Sequence, residues 1–359
     1  MTHIFSDSPR ALHYAMPPEW ALHSATWMSW PFDDEMWHGH LREVRREYAQ
    51  FVRKLSQFEP VHLLVRDAEA RASASEALQG VQRVQMHELP LDDVWLRDNG
   101  PIFVTRPEKA EGGSSVLPPV AMVNWEFNAW GDKYDWSQDN EAPEAISRIL
   151  DLPYFENAMI MEGGSLDING EGVCLTTEQC LLSPKRNPHA SRADIEKALY
   201  DFLGQKQIVW LKLGLEGDHT DGHIDTITRF ASADTVLHSS CLDRSDINWQ
   251  RMEENKEILQ GVRLADGRSL KVIDLPLPQK RLELADGTRL PPTYANFYIA
   301  NGAVLVPQYG DPQDEAALSI LRQAFPRHQV IGLASRYIIT GGGSFHCLTQ
   351  QQPAKPGSL

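Results

Sequence analysis

The sequence predicts an α/β protein built from a repeating strand–strand–helix–strand unit. Three observations carry this. Short apolar runs of strand length alternate with amphipathic stretches of helical period. The alternation recurs at about 60 to 75 residues without obvious sequence repetition. Glycine- or proline-rich breaks (Gly163-Gly164, Gly170, Gly310, Gly341 to Gly343) punctuate the strands, and no Pro/Ser linker divides residues 1–359, which are read as one domain. Such a pattern fits either an open α/β sheet or a ring of small mixed sheets around an axis, and periodicity does not choose between them.

In order along the chain, a helix is expected around Leu41–Phe58, where Val44, Tyr48, Phe51, Val52 and Leu55 fall on one face, followed by the strand Val61–Val65. Strands near Ile102–Thr105 and Ala121–Phe127 flank Arg106–Pro119, whose prolines mark a surface loop, and a helix follows near Glu144–Leu150. The next unit holds Tyr154–Met161, Gly172–Leu182, a helix at Arg192–Leu203 with Ser191 as N-cap, and Gln207–Leu211. A fourth runs through Ile224–Phe230, Thr235–Ser239, a helix near Trp249–Leu259 and Lys271–Leu275. The last has Tyr294–Val306, a helix at Asp314–Phe325 and the strand Gln329–Leu333.

Composition narrows the function. A formal charge of −15 disfavours nucleic-acid or anionic-membrane partners and suits a small cation. The start lacks the basic end and apolar run of an export signal, and no window reaches the roughly 18 apolar residues of a spanning helix. Four scattered cysteines (Cys174, Cys180, Cys241, Cys347) are unlike a disulfide framework, with Cys174 and Cys180 reading as core thiols. A reducing cytoplasm is expected.

Four motifs carry candidate chemistry. In Trp95-Leu96-Arg97-Asp98-Asn99-Gly100-Pro101 the Asn-Gly-Pro turn sets Asp98 at the end of an element. There it would meet a cationic ligand, with Trp95 as pocket wall, or form an Asp turn over a packed Trp. Glu162-Gly163-Gly164 joins an acid to two glycines that permit close backbone approach, although by itself the motif reads first as a turn with a surface Glu. In Asp218 to Asp225, His223 and Asp225 stand two apart and on a strand would share a face. His219 and His223 have the spacing of a helical zinc pair, but Asp221-Gly222 breaks a helix and no matching ligand cluster follows, so no metal is expected. Finally, Gly341-Gly342-Gly343 precedes Ser344-Phe345-His346-Cys347. Cys347 is either a buried structural thiol, the usual state of a free cysteine, or an exposed nucleophile; the glycine run and the polar Thr349-Gln350-Gln351-Gln352 bring the two readings level, with His346 pointing the other way if extended. One thiol, one His and three carboxylates exceed what a cysteine protease needs. They suit a guanidinium, a planar cation best held by two carboxylates in bidentate contact.

In this order, these segments resemble the agmatine deiminase branch of the guanidine-modifying enzymes. Trp125-Glu126-Phe127-Asn128-Ala129-Trp130-Gly131 and Arg186-Asn187-Pro188 resemble it too, and the similarity runs from about Pro17 to Pro353. The resemblance implies a five-bladed, pseudo-symmetric α/β propeller of ββαβ-type modules with the site on its axis. It also implies roles: Cys347 as nucleophile, His223 as general acid and base, Glu162 as its partner, and Asp98 and Asp225 as guanidinium clamps. Trp95 and Gly342 would border the substrate. No cofactor is implied; relatives suggest a homodimer. Agmatine is the implied substrate, with peptidyl arginine or an amidinotransferase reaction as alternatives; no Arg pair is set aside for a free carboxylate. Two positions depart from the branch: Ser344-Phe345 where Asn-Ile is expected, and His219 where an acid is expected. Both are expected to reshape the end of the pocket that receives the substrate's tail.

Overall fold

The computed structural model describes residues 4–107 and 117–357. Its strands, in chain order, are β1 (His23–Ser29), β2 (Val61–Val65), β3 (Val84–Glu88), β4 (Ile102–Thr105), β5 (Val120–Glu126), β6 (Tyr154–Ile160), β7 (Asp167–Ile168), β8 (Val173–Thr177), β9 (Gln207–Leu211), β10 (Thr228–Ser232), β11 (Thr235–Ser240), β12 (Lys271–Pro276), β13 (Tyr298–Ala300), β14 (Ala303–Gln308), β15 (Gln329–Ala334) and β16 (Gln350–Pro353). Among the described residues they form five small sheets, ordered β16-β1-β2-β3, β4-β5-β6, β7-β8-β9, β10-β11-β12 and β13-β14-β15.

Every sheet repeats one wiring. A strand pairs antiparallel with the next, a helix crosses over, and a third strand pairs parallel with the second. The first sheet is assembled from both ends of the sequence: β16 is the antiparallel partner of β1, with Trp27 opposite Gln350, and β1 pairs parallel with β2. Neighbouring sheets touch in turn. The Asp167 carboxylate accepts the Phe230 N–H at 3.1 Å, Ser239 meets Thr293 at 3.2 Å, and Asn301 bonds the His23 carbonyl at 2.9 Å. The β16–β1 pairing and these contacts close a ring, the five-bladed α/β propeller.

The crossover helices form where an apolar stripe exists to be buried. Leu41–Leu55 buries Val44, Tyr48, Phe51, Val52 and Leu55 against the first sheet. Arg192–Leu203 begins at Ser191 with a reciprocal capping box, in which Ser191 accepts from the Asp194 N–H and Asp194 accepts from the Ser191 N–H at 2.8 Å.

Several expected elements are corrected. Ile224–Phe230 is not one strand: Ile224–Thr226 is a single 3₁₀ turn ahead of β10, because Asp221 and Gly222 enter with left-handed backbone (φ 65° and 83°). Gly172–Leu182 divides into β8 and a helical turn, Glu178–Leu181, capped by the Thr177 hydroxyl. Tyr294–Val306 is a buried turn followed by the hairpin β13–β14. The loop expected at Arg106–Pro119 lies mostly outside the described residues. Strand β1 has no alternating pattern to betray it, since six of its seven residues are buried. The polar tail Gln350-Gln351 is the interior strand β16, with both glutamines buried and accepting from the buried Arg97 guanidinium at 3.1 and 2.7 Å. No described helix is long and apolar enough to cross a membrane.

Candidate active site

Each module delivers a buried turn just before its antiparallel leading strand, and the five turns meet at the ring axis. Asp98 precedes β4, Glu162 precedes β7, His223 and Asp225 precede β10, Asn296 precedes β13 and Cys347 precedes β16. Pseudo-fivefold symmetry therefore gathers residues 249 positions apart in sequence, Asp98 to Cys347, at one point. The glycine between them measures how close they come. A Cβ on Gly164 would lie 2.6 Å from His223 Nδ1, 2.7 Å from Asp98 Oδ1 and 3.1 Å from Asp225 Oδ2. Any side chain there would fill the space the three groups face.

Asp98 is aimed by two donors, the Gly164 N–H to Oδ1 at 2.9 Å and the Trp130 indole N–H to Oδ2 at 3.0 Å. Trp130 reaches it from Ala129-Trp130-Gly131-Asp132, four consecutive residues with positive φ. Left-handed backbone at Ala and Trp is strained, at a cost of order 1 to 3 kcal/mol per residue, and such strain clusters at sites whose geometry demands it. The sequence carried Trp130 only within a motif, without a role.

His223 is fully buried between two carboxylates, with Nδ1 3.6 Å from Asp98 Oδ1 and Nε2 3.5 Å from Glu162 Oε2; neither nitrogen has a hydrogen-bond partner. Glu162 is held by Arg186, whose Nε donates to its two oxygens at 2.7 and 2.9 Å. Arg186 also donates to Asp221 at 2.9 Å and to the Thr220 carbonyl at 2.6 Å, and Lys133 pairs with Asp221 at 2.8 Å. The loop itself is organised by Asp218, which accepts from Thr220 and the Gly222 N–H. The polar run Asp218 to Asp221 is thus the scaffold that presents His223.

Cys347 and Asp225 meet on the opposite side. Cys347 Sγ lies 3.5 Å from Asp225 Oδ2 and accepts from the Asn296 amide at 3.1 Å; Asn296 Oδ1 in turn accepts the His346 and Cys347 N–H groups at 3.0 and 3.3 Å. Cys347 is 3% exposed, so the expectation of an exposed thiol is corrected: it is buried, but at the axis rather than in a blade. His346 does not point away. The segment is a turn, and His346 Nδ1 bonds Asp225 Oδ2 at 2.7 Å while Nε2 bonds Glu19 Oε2 at 2.8 Å. Asp225 Oδ1 has no partner. Asn296 and Glu19 escaped sequence reading because neither stands in a motif; their signal is positional, Asn296 being the fifth module's counterpart of Asp98 and Cys347.

The three glycines are explained by contact. A Cβ on Gly341 would strike the rings of Trp37 and Trp95, one on Gly342 (φ 94°) the His219 ring at 2.3 Å, and one on Gly343 Trp95 at 2.6 Å and Cys347 Sγ at 3.1 Å. Above them opens a cavity of about 360 Å³ bordered by Trp95, Trp130, Tyr134, His219, Asp93 and Gly342. His219 sits at this mouth, near-parallel to Trp130 at 6.1 Å between ring centroids. Ser344 and Phe345 do not border it. Ser344 bonds Ser335 at 2.7 Å and Phe345 packs on Phe51 at 4.5 Å between centroids, so of the two departures only His219 touches the tail end.

Electrostatics follow from burial and partners. Burial works against charge on His223, but Asp98, with Cys180 and Glu162, overrides it and holds the imidazole well above its ordinary range. Burial pushes Cys347 well above the usual thiol, and the Asp225 and Asp98 carboxylates push it further. Burial lifts Asp98 to about 6, with His223 opposing and Asp225 and Glu162 adding. Glu162 resists burial through Arg186 and falls to about 2. Burial also works against charge on Asp225, but its bond to His346 holds it below its ordinary range.

Residues 15–353 match the family model described as Porphyromonas-type peptidyl-arginine deiminase. An agmatine deiminase of Medicago truncatula is 36% identical, the alignment covering 99% of this chain and all of the relative. Among solved structures, an agmatine deiminase of Enterococcus faecalis superposes with a TM-score of 0.91 at 29% identity, covering 99% of this chain and 100% of that one. A C. jejuni agmatine deiminase with substrate bound gives 0.85 at 31%, covering 95% and 97%. A thiol, an imidazole and three carboxylates converging on the axis of a five-module ring, over a matched span of nearly the whole sequence, place this chain in the Porphyromonas-type peptidyl-arginine deiminase family.

Proposed function

We propose that this protein hydrolyses the guanidinium group of agmatine, giving N-carbamoylputrescine and ammonia. The observation that carries the reading is the unpartnered face of the axial cage. Asp225 Oδ1 and both nitrogens of His223 are buried without partners beside the Asp98 carboxylate and the Cys347 thiol. A buried carboxylate oxygen without a donor is costly, and a planar cation with several N–H groups supplies what is missing.

The chemistry follows from the charges. In the resting site the thiol is protonated because two carboxylates face it in a buried space. A guanidinium seated between Asp98 and Asp225 neutralises both and sets its own positive charge beside the sulfur, which offsets the burial that raises the thiol and lets the proton leave for solvent. The thiolate attacks the guanidinium carbon. His223, an imidazolium at neutral pH, donates its proton to the departing NH2 group, so ammonia leaves and an amidino-thioether remains on Cys347. Neutral His223 then takes a proton from water, whose oxygen attacks the same carbon, and breaking the C–S bond releases the ureido product. Glu162 acts by keeping His223 charged between turnovers.

Agmatine fits the entrance better than arginine does. The cavity walls are aromatic, with Asp93 and Asp286 beside them. Its one lining arginine, Arg289, already gives both terminal nitrogens to Asp246 at 3.0 and 2.5 Å, leaving no free guanidinium for a substrate carboxylate. The whole ring acts as one catalytic domain, working in the cytoplasm as a homodimer. Ammonia release measured on agmatine, arginine and a blocked arginine peptide will rank agmatine first by at least about 100-fold in kcat/KM, the value of one unmet charged contact. Comparable turnover of the peptide would sink the assignment.

Asp98 sets a pH limb. Its carboxyl titrates near 6 and only the ionised form clamps the substrate, so the fall of kcat/KM with acid that the departing thiol proton already imposes steepens by a further tenfold per unit as pH drops below about 6. In Asp98→Asn this limb disappears along with most of the activity. A pH–rate profile whose slope does not change from pH 7 to 5 would remove Asp98 from the role.

A further inference from the structure

Behind His223, on the side away from Asp98, lies a thiol that the reaction does not use. Cys180 is fully buried in the turn after β8, with Sγ 3.6 Å from Glu162 Oε2. That same oxygen is 3.5 Å from His223 Nε2, which has no hydrogen-bond partner. One ligand atom from each of Glu162, Cys180 and His223 falls within 4.8 Å of the others, the only such cluster among the described residues.

We propose that Glu162, Cys180 and His223 form an inhibitory binding site for a thiophilic divalent cation such as Zn2+. Tetrahedral zinc with its usual bond lengths separates its ligands by roughly 3.4 Å for an imidazole nitrogen and a carboxylate oxygen, and by roughly 3.6 Å for a thiolate sulfur and that oxygen. The measured separations, 3.5 and 3.6 Å, already match. Glu162 can give Oε2 to the metal and keep its 2.7 Å bond from Arg186 on Oε1.

The charge balance also closes, which matters beside a buried arginine. Capture of one dication requires the Cys180 thiol proton and the His223 imidazolium proton to leave, so two positive charges enter and two depart. The pocket's net charge stays what it was, and Arg186 keeps Asp221 and the Thr220 carbonyl. Two protons released per metal make binding tighten with pH, by up to about 100-fold per unit while both groups are protonated. All three ligands are buried, so onset is slow compared with substrate binding.

Inhibition follows because the metal removes the proton that His223 delivers to ammonia, and that consequence rests on the function proposed above. Binding does not, so the test reads it separately. Co2+ added to the full-length chain will give a thiolate-to-cobalt charge-transfer absorption in the wild type and in Cys347→Ala, and not in Cys180→Ala or Cys180→Ser. In rate assays, whatever the basal rate of the Cys180 variants, the Zn2+ concentration for half inhibition will rise at least tenfold. Absorption that persists without Cys180 and vanishes in Cys347→Ala would assign the metal to the other thiol and overturn the site, as would no absorption in the wild type. Retention of ammonia release by Cys347→Ala would instead overturn the proposed reaction and leave the metal site standing.

Discussion

Cys347→Ala will lower ammonia release from agmatine by roughly 10⁴-fold or more while the protein stays folded, because the reaction loses the atom that carries its intermediate. The structural cost is small. Cys347 is a compact side chain whose main polar contact is the Asn296 amide at 3.1 Å, and Asn296 keeps the His346 and Cys347 N–H groups as partners. The thermal midpoint should therefore move by only a few degrees. Cys347→Ser is the sharper control, since it keeps the contact to Asn296 and changes only the nucleophile; it too will be inactive. Mass spectrometry of acid-quenched turnover will find an amidino adduct on the wild type and none on either variant. Near-normal rates in Cys347→Ala, or an adduct located on Cys180, would move the chemistry to another residue.

How much of this site was legible beforehand depended on how each residue is encoded. Asp98, Glu162, His223, Asp225 and Cys347 each stand within four residues of a turn glycine, which is visible in a sequence because close approach leaves no other choice. The two-residue spacing of His223 and Asp225 predicts a shared strand face, but the chain brings them together by another route. They do not alternate on a strand; they flank the entry to a 3₁₀ turn, and both reach the axis because that turn leads into β10. Asn296 carries no glycine signature and is revealed only by superposing the wiring of the modules. Glu19 is further removed still. It accepts from His346, Arg229 and the Ile299 N–H, and nothing in residues 17–20 announces a partner some 327 positions away.

The fold shows the same division. Crossover helices with one clean apolar face, such as Leu41–Leu55, are readable because burial on one side imposes a period. Strands buried on both faces lose their alternation, and β1 is illegible for that reason although its pairing with β16 closes the ring. Polar residues misled in the same way. Gln350 and Gln351 read as a solvated tail, yet they serve as acceptors for Arg97, whose Nε also donates to the His346 carbonyl at 3.3 Å and whose N–H donates to the Cys347 carbonyl at 3.1 Å. A strand that looks hydrophilic is thus part of the support for the nucleophile's turn.

Glu162→Gln will test whether the buried charges around His223 are coupled, and it should damage stability and activity together. The substitution keeps volume and shape but removes the charge that compensates Arg186, a fully buried guanidinium side chain. Removing one partner of a buried pair typically costs 3 to 5 kcal/mol. Here the loss should sit near the lower bound, about 3 kcal/mol, since Arg186 retains Asp221 and the Thr220 carbonyl. Linkage gives the same order. Glu162 falls from 4.5 in the unfolded chain to about 2 in the fold, worth about 3 kcal/mol. Because the folded value is the lower one, that stability is present above pH 4.5 and is lost as pH falls towards 2. Urea unfolding at pH 7 and at pH 3 will therefore show a wild type that weakens with acid and a variant already weakened at pH 7, with the gap between them narrowing at pH 3. Activity should respond separately. With Glu162 neutral, His223 loses one of the carboxylates that keep it an imidazolium, so the alkaline limb of kcat moves to lower pH as kcat itself falls. A variant that is merely unstable would lose amplitude in such a profile without shifting its limb, and that outcome would confine Glu162 to holding Arg186.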